Sequence, residues 1–151
     1  MKNNFDESTP IFFIENGYTE LSKLIEQNNY SKLFFITDTN SNDNCLPILL
    51  QNLATEVPIE IIEFENGEVN KNIQTCIEIW QILTDYNADK SSLILNLGGG
   101  VVTDLGGFIA TTYKRGIDFI NIPTTLLAMV DAAIGGKNGI DQGNLKNLIG
   151  T

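Results

Sequence analysis

The chain contains no histidine, a single arginine, a single tryptophan, two cysteines and four prolines among its 151 residues. Without histidine, a Ser/His/Asp or Cys/His triad, a histidine-based zinc site and imidazole acid–base catalysis are excluded within this chain. Its chemistry must rest on Asp, Glu, Lys, Tyr or a bound cofactor. Cys45 and Cys76 stand 31 positions apart in apolar surroundings, and the polar, acidic first ten residues do not read as a secretory signal. Both are therefore expected as buried, reduced thiols in a cytoplasmic protein. Basic residues are scarce as well: nine face nineteen acidic ones, a formal charge of −10. That balance argues against nucleic acid or an anionic membrane surface as partner. No stretch reaches about 18 apolar residues without a charge, the length a membrane span needs. The longest candidate, Leu93 to Tyr113, carries Asp104 and five glycines.

What is present is enough apolar sequence, 42% of residues, to fill the core of one soluble globular domain. Its distribution is uneven. Residues 1–97 hold fifteen acids and five bases and account for the whole net charge, whereas residues 98–151 hold four of each. Eleven of the thirteen glycines follow position 97. The last third is thus glycine-rich and locally neutral, where an anion is tolerated.

Periodicity predicts alternating strands and helices. Ile11 to Ile14 reads as a short strand ended by Asn16-Gly17, followed by a helix carrying Leu21, Leu24 and Ile25. Leu33 to Thr37 is a continuous apolar strand that stops at Asp38-Thr39-Asn40. A short helix with Leu49, Leu50 and Leu53 follows, with Pro47 in its first turn. Val57 to Phe64 reads as strand, Glu65 to Glu68 as turn, and Ile73, Cys76, Ile77, Trp80 and Leu83 as the buried stripe of a helix. Leu93 to Leu97 is strand, 102–113 helix, Asp118 to Ile122 strand, Pro123 to Thr125 a turn, and Leu126 to Ile134 helix. This order predicts an α/β, Rossmann-like domain with a mostly parallel sheet and helices on both faces.

Ligands of such folds bind beyond the carboxyl ends of the strands. That rule selects Asp38 to Asn40, Asn66 to Lys71, Gly98 to Asp104 and Pro123 to Thr125. Gly98-Gly99-Gly100 lets backbone approach a ligand closely, and the helix start after it offers free N–H groups to a phosphate. The alternative, a tight strand-to-helix turn with Asp104 near the positive end of the helix dipole, would need only one of the three glycines. The segment is not a dinucleotide fingerprint, because Thr103 stands where the last glycine is expected. Gly135-Gly136-Lys137 is not a phosphate-loop lysine motif either, since Asp131 and Asn138 occupy required positions. Lys137 is either a functional cation or a solvated one. Arg115, the lone arginine, suits a two-pronged contact to phosphate or carboxylate, or caps a helix end. Asp131, inside an apolar stretch, is a functional carboxylate or a satisfied polar group.

Residues Gly98 to Gly150 resemble the signature region of the 3-dehydroquinate synthase family. The blocks GGGV…D…GF, Y.RG, PTTLL.MVD, GGK and KN.IG occur in the family's order and spacing, and Thr37 to Asn40 and Phe64 to Lys71 are similar to its nucleotide-contacting segments. The resemblance implies an N-terminal NAD-binding domain over residues 1–151. A second, mainly helical domain holding a divalent metal, zinc or cobalt, is absent from this sequence, so the chain reads as a fragment inactive by itself and without a metal site. The implied full-length activity is NAD-mediated transient oxidation of 3-deoxy-D-arabino-heptulosonate 7-phosphate. Phosphate elimination, re-reduction and aldol closure then give 3-dehydroquinate, a step of the shikimate pathway. The implied partner is thus a phosphorylated sugar acid, in a homodimer.

By the same resemblance, Asp38, Thr39, Asn40, Asn66, Glu68 and Lys71 contact the adenosine part of NAD. Gly99, Gly100, Val101 and Asp104 line its pyrophosphate and nicotinamide ribose, and Thr124, Thr125, Lys137 and Lys146 complete the cofactor set. Asp131, Lys137, Lys146 and Asn147 meet the substrate, while Arg115 reaches a substrate phosphate from the neighbouring subunit. The chain departs from the family pattern at Ala132-Ala133, Asn138, Asn66 and Leu145. These leave room for a related sugar-phosphate cyclase such as 2-deoxy-scyllo-inosose synthase.

Overall fold

The computed structural model describes residues 11–134, 136–143 and 145–151. Residues 1–10, and Gly135 of the Gly-Gly-Lys motif, lie outside the described residues. The chain runs α1 (Ile14–Asn28), β1 (Leu33–Asp38), α2 (Thr39–Asn44), α3 (Leu46–Asn52), β2 (Ile59–Phe64), α4 (Ile73–Asp85), β3 (Leu93–Gly98), α5 (Gly100–Thr112) and β4 (Asp118–Pro123). It closes with a hairpin of β5 (Gly139–Gln142) and β6 (Leu145–Gly150).

Four strands form one parallel sheet in the order β2-β1-β3-β4. From β1 the chain moves outward to β2, then crosses back over β1 to reach β3 and continues to β4. Neighbouring connections therefore leave on opposite faces at β1 and β3, which opens a crevice between their carboxyl ends. Side chains alternate across the sheet. Phe34, Ile36, Ile62, Phe64 and Ile94 pack under α4 and α5, while Leu33, Phe35, Leu93, Leu95 and Leu97 pack under α1 and α3. The continuous apolar runs read from sequence are thus strands covered on both sides.

Five expectations are corrected. Ile11, Phe12 and Phe13 form no strand, and α1 begins at Ile14; the run has no neighbouring strand to pair with, and β propensity depends on such packing. Asn16-Gly17 accordingly sits in the first turn of α1 rather than ending a strand, donating to the Phe13 carbonyl. Asp38 to Asn40 is not an open turn: Asp38 caps α2, accepting from the Ser41 backbone N–H at 2.8 Å, and Ser41 reciprocates. The α4 stripe is rotated, with Thr75, Cys76, Ile79 and Leu83 buried and Ile73 and Ile77 exposed. The stretch after Thr125 is helical from Leu126 as expected, but it widens into a π turn at Ala128–Ala132 and ends there, short of Ile134. Both cysteines are free, and burial pushes the Cys76 thiol up to about 12, as suits an inert core thiol.

Two glycines of α5 serve packing rather than a ligand. A Cβ on Gly106 would fall 1.9 Å from the Asn96 side-chain oxygen, and one on Gly107 equally close to that of Asn138. Asn96, fully buried in β3, donates to Asn121 of β4 at 2.9 Å. Only a bare helix face lets α5 settle on these polar side chains. Among the described residues no helix is long and apolar enough to cross a membrane.

Candidate functional site

The crevice between β1 and β3 is edged by the four segments that follow the strands. Gly99 precedes α5 as its cap residue and offers no side-chain acceptor, and the first turn of α5 holds no acid. The leading N–H groups of that helix are therefore open to an anion, and the dipole adds positive potential at the same place. Thr125 leans over the turn, since a Cβ on Gly99 would stand 3.3 Å from its methyl. Thr124 donates its backbone N–H to the Gly98 carbonyl at 2.9 Å, and the Thr125 hydroxyl accepts from the Ala128 N–H. A Cβ on Gly100 would reach Ala132 at 3.9 Å, so the turn carrying Asp131 roofs the glycine strip.

Asp104 lies one turn inside α5 and does not cap it. Its Oδ2 accepts from Lys71 Nζ at 2.5 Å. The Lys71 residue is only 3% exposed. Burial pushes the Asp104 carboxyl above its ordinary 3.8; the Lys71 hydrogen bond and charge oppose that shift, while the charges of Asp131 and Glu68 reinforce it. Three carboxylates and one buried ammonium thus share a small volume. Lys71 is the group that favours the charged form of Asp104 against that burial. The same ammonium donates to Asn147 Oδ1 at 2.5 Å.

The hairpin delivers Asn147 and Lys146 to this place. Ile140 is buried in the core under α5, and Asp141 forms a bridge with Asn72 while donating its N–H to the Lys71 carbonyl at 2.8 Å. Pairing between β5 and β6 is irregular between Ile140 and Gln142. Asn147 takes a left-handed conformation, φ 50°, in the irregular part. Such irregularities re-aim a side chain. Lys146 pairs with Glu68 at 3.3 Å on the open rim of a cavity of about 350 Å³ lined by Glu68, Val69, Asn72, Asp141, Gly143 and Lys146. A second cavity of about 330 Å³ lies beyond the end of β2, with Thr39, Glu65 and Asn70 at its mouth and Ile79 and Ile82 beneath.

The structure therefore brings together Glu68, Lys71, Asp104, Asp131, Lys146 and Asn147. Gly99, Gly100, Val101, Thr124 and Thr125 surround the helix start beside them. Thr39 and Asn66 meet at the end of β1, where the Thr39 hydroxyl accepts from the Asn66 N–H at 3.4 Å. Asp38 is partly engaged in capping, and Asn40 is exposed on α2. Lys137 is exposed beside the hairpin. Arg115 is not at this site: it follows α5, at φ 66°, on the opposite end of the sheet where β4 begins. Sequence reasoning missed Asp141, whose only signal was its place within the GGK to KN.IG interval.

Residues 61–151 match the family model described as 3-dehydroquinate synthase N-terminal. The 3-dehydroquinate synthase of Parabacteroides distasonis is 44% identical over 133 residues, 88% of this chain and 37% of that protein. The one from Alkaliphilus oremlandii is 44% identical over 147 residues, 94% of this chain and 39% of that protein. Among solved structures, 2-deoxy-scyllo-inosose synthase complexed with carbaglucose-6-phosphate, NAD+ and Co2+ superposes with a TM-score of 0.82 at 25% identity, covering 89% of this chain and 37% of that one. The 2-epi-5-epi-valiolone synthase of Streptomyces hygroscopicus, with NAD+ and Zn2+ bound, gives 0.74 at 29% identity over 82% of this chain and 35% of that one. The chain spans less than two-fifths of each of these proteins. In sequence and in fold it belongs to the 3-dehydroquinate synthase family.

Proposed function

We propose that this chain is the NAD-binding domain of a two-domain 3-dehydroquinate synthase that converts 3-deoxy-D-arabino-heptulosonate 7-phosphate to 3-dehydroquinate and phosphate in the shikimate pathway. One observation carries the reading: an uncapped, acid-free α5 start at the crevice, with a Lys71-supported Asp104 one turn behind it. The glycines and free N–H groups fit a pyrophosphate, and Asp104 keeps Oδ1 for a ribose hydroxyl while Oδ2 holds Lys71. When bound, NAD supplies a hydride acceptor and donor, which renders the substrate C–H acidic for elimination.

The chain's own residues bind and orient. Gly99, Gly100 and Val101 receive the pyrophosphate on backbone N–H groups, and Thr124 and Thr125 close its far side. Asp38, Thr39, Asn40, Asn66 and Glu68 surround the adenosine beyond β1 and β2. Asp131, Lys137, Lys146 and Asn147 face the substrate, the two ammonium groups offsetting its phosphate and carboxylate. Among the described residues no three His, Cys, Asp or Glu side chains converge on a point that could hold a metal. In the proposed enzyme the zinc or cobalt is held by the second domain, and the residues of this chain bind and orient. Arg115, remote from its own crevice, serves that of a partner subunit in the homodimer.

Calorimetry with NAD tests the cofactor half directly. Binding is expected to weaken at least tenfold, about 1.4 kcal/mol, in Asp104→Ala; unchanged affinity would remove Asp104 from the site. For the reaction, the two-domain enzyme is expected to release phosphate from the sugar acid with no net NADH. Net NADH instead would place the protein among polyol dehydrogenases, and phosphate from a hexose phosphate alone would favour a 2-deoxy-scyllo-inosose synthase. The isolated 151-residue chain is expected to show no turnover, since without a second wall the substrate is neither oriented nor shielded from water.

A further inference from the structure

Three hydrogen bonds close a ring between the hairpin and the segment after β2. The Asp141 N–H donates to the Lys71 carbonyl at 2.8 Å, the Asn147 N–H donates to Asp141 Oδ1 at 2.7 Å, and Lys71 Nζ donates to Asn147 Oδ1 at 2.5 Å. Each bond has a separate consequence. The first fixes Asp141 against a backbone that is itself buried. The second holds Asn147 at φ 50°, a left-handed conformation that asparagine tolerates but does not prefer. The third settles which way the Asn147 carboxamide faces: its oxygen is turned inward to the ammonium, so its NH2 must point the other way. Among the described residues that NH2 donates no hydrogen bond, and Asn147 is exposed. An amide whose acceptor is locked and whose donors are free is a rigid donor for an oxygen-rich ligand.

We propose that Asp141 is a positioning residue: through the Asn147 backbone N–H it holds the Asn147 carboxamide, in register with Lys71, as a fixed NH2 donor to a hydroxyl or carboxylate oxygen of the substrate. The proposal rests on the cyclase reading for the identity of that substrate. The geometry of the ring stands without it. Asp141 acts as a hydrogen-bond acceptor and not as a charge, because the group it holds is a neutral N–H. Asn in its place keeps the acceptor, and Ala removes it.

The test uses the two-domain enzyme labelled with 15N-asparagine, the Asn147 side-chain signal being assigned by its loss in Asn147→Asp. In Asp141→Ala the Asn147 NH2 is expected to become mobile, with its heteronuclear NOE falling toward that of a free side chain, whereas Asp141→Asn keeps it ordered. With 3-deoxy-D-arabino-heptulosonate 7-phosphate, Asp141→Ala is expected to raise KM about tenfold with NAD affinity changed less than twofold, and Asp141→Asn to restore KM to within about threefold of the parent. An ordered Asn147 NH2 in Asp141→Ala overturns the proposal. So does an unchanged KM, and so does Asp141→Asn behaving like Asp141→Ala. If the parent enzyme releases no phosphate, the cyclase reading fails, and the order of the Asn147 NH2 in the two variants alone decides whether Asp141 positions it.

Discussion

The two ends of the parallel sheet are built differently. At the amino end every segment is tied to its neighbour. Ser31 donates to Asp89 at 2.7 Å, Ser91 and Ser92 donate to the same carboxylate, Lys90 reaches the Gly116 carbonyl at 2.6 Å, and Tyr30 donates to Asp118. Those bonds hold the Asp89 carboxyl below its usual range, the Ser31 hydrogen bond contributing most. At the carboxyl end, the α5 start is uncapped, Asp104 is pushed upward by burial, and the turn after β4 exposes Leu126 at 76% and Leu127 at 70%. Both ends pair charged side chains, but only the carboxyl end leaves a helix start without a cap. The amino end is closed by bonds between neighbouring segments, and the carboxyl end leaves a helix start and apolar side chains open.

Exchanging a lysine at each end sharpens the contrast most. Lys71→Met leaves Asp104 and Asn147 without their buried donor and is expected to cost about 3 kcal/mol, near the upper end for stranding a partly buried charged partner. Lys32→Met at the amino end removes a bond to the Tyr86 carbonyl, a 3.6 Å approach to Glu60 and a 5.9 Å approach to the Phe34 ring, for about 1 kcal/mol. Urea unfolding of both variants measures the gap, and equal losses would erase the distinction.

Between the ends, Gly106→Ala forces a Cβ against Asn96 and should destabilise by about 1–3 kcal/mol. Gly17→Ala, with nothing within 4 Å of the added Cβ in α1, should stabilise by about 0.4–1 kcal/mol. Opposite signs in thermal midpoints are the expected result. At the amino end, Tyr30→Phe breaks the bond to Asp118 for about 0.5–1 kcal/mol. The Tyr30 hydroxyl itself, raised to about 12 by burial and then by Asp118, stays protonated throughout the neutral range.

The smallest effects are the slopes of stability with pH, and they run in opposite directions. Folding lowers the Asp89 pKa below 3.8, so its contribution is present above that value and is lost as pH falls through the folded one. Folding raises the Asp104 pKa above 3.8, so its contribution is present below 3.8 and is lost as pH rises through the folded one. Asp89→Asn should therefore flatten the acid limb and Asp104→Asn the limb above it, in urea midpoints followed across both limbs.

How far the sequence foretold this depended on the range over which each signal acts. β1, β3 and β4 and the helices α3 and α5 follow from continuous apolar runs and from glycine and proline punctuation, which act over a few residues. The polar stretch Thr39–Asn44 hid a helix because its capping box, Asp38 with Ser41, resembles a turn in composition. The rotated face of α4 was invisible because Thr75 is buried while Ile73 and Ile77 are not, a choice made by α5 and β2 rather than by α4. The β5–β6 hairpin escaped because its pairing is irregular and its strands are exposed on most positions. The strand-end rule and the family resemblance together selected most of the residues that edge the crevice, but counted Arg115 with them and missed Asp141. They could not pair Lys71 with Asp104 and Asn147, which stand 33 and 76 positions away.

That last separation also bears on the order of events when the chain folds. Closing a loop of 76 residues costs chain entropy on the order of 4 kcal/mol, and one ammonium–amide bond does not offset it. The sheet repays comparable closures with whole rows of apolar side chains, so it must assemble first, and the hairpin docks onto a finished surface. Weakening the Lys71–Asn147 link should then quicken unfolding while leaving the folding rate nearly untouched. The hairpin that carries Lys146 and Asn147 would be the last element to arrive and the first to leave.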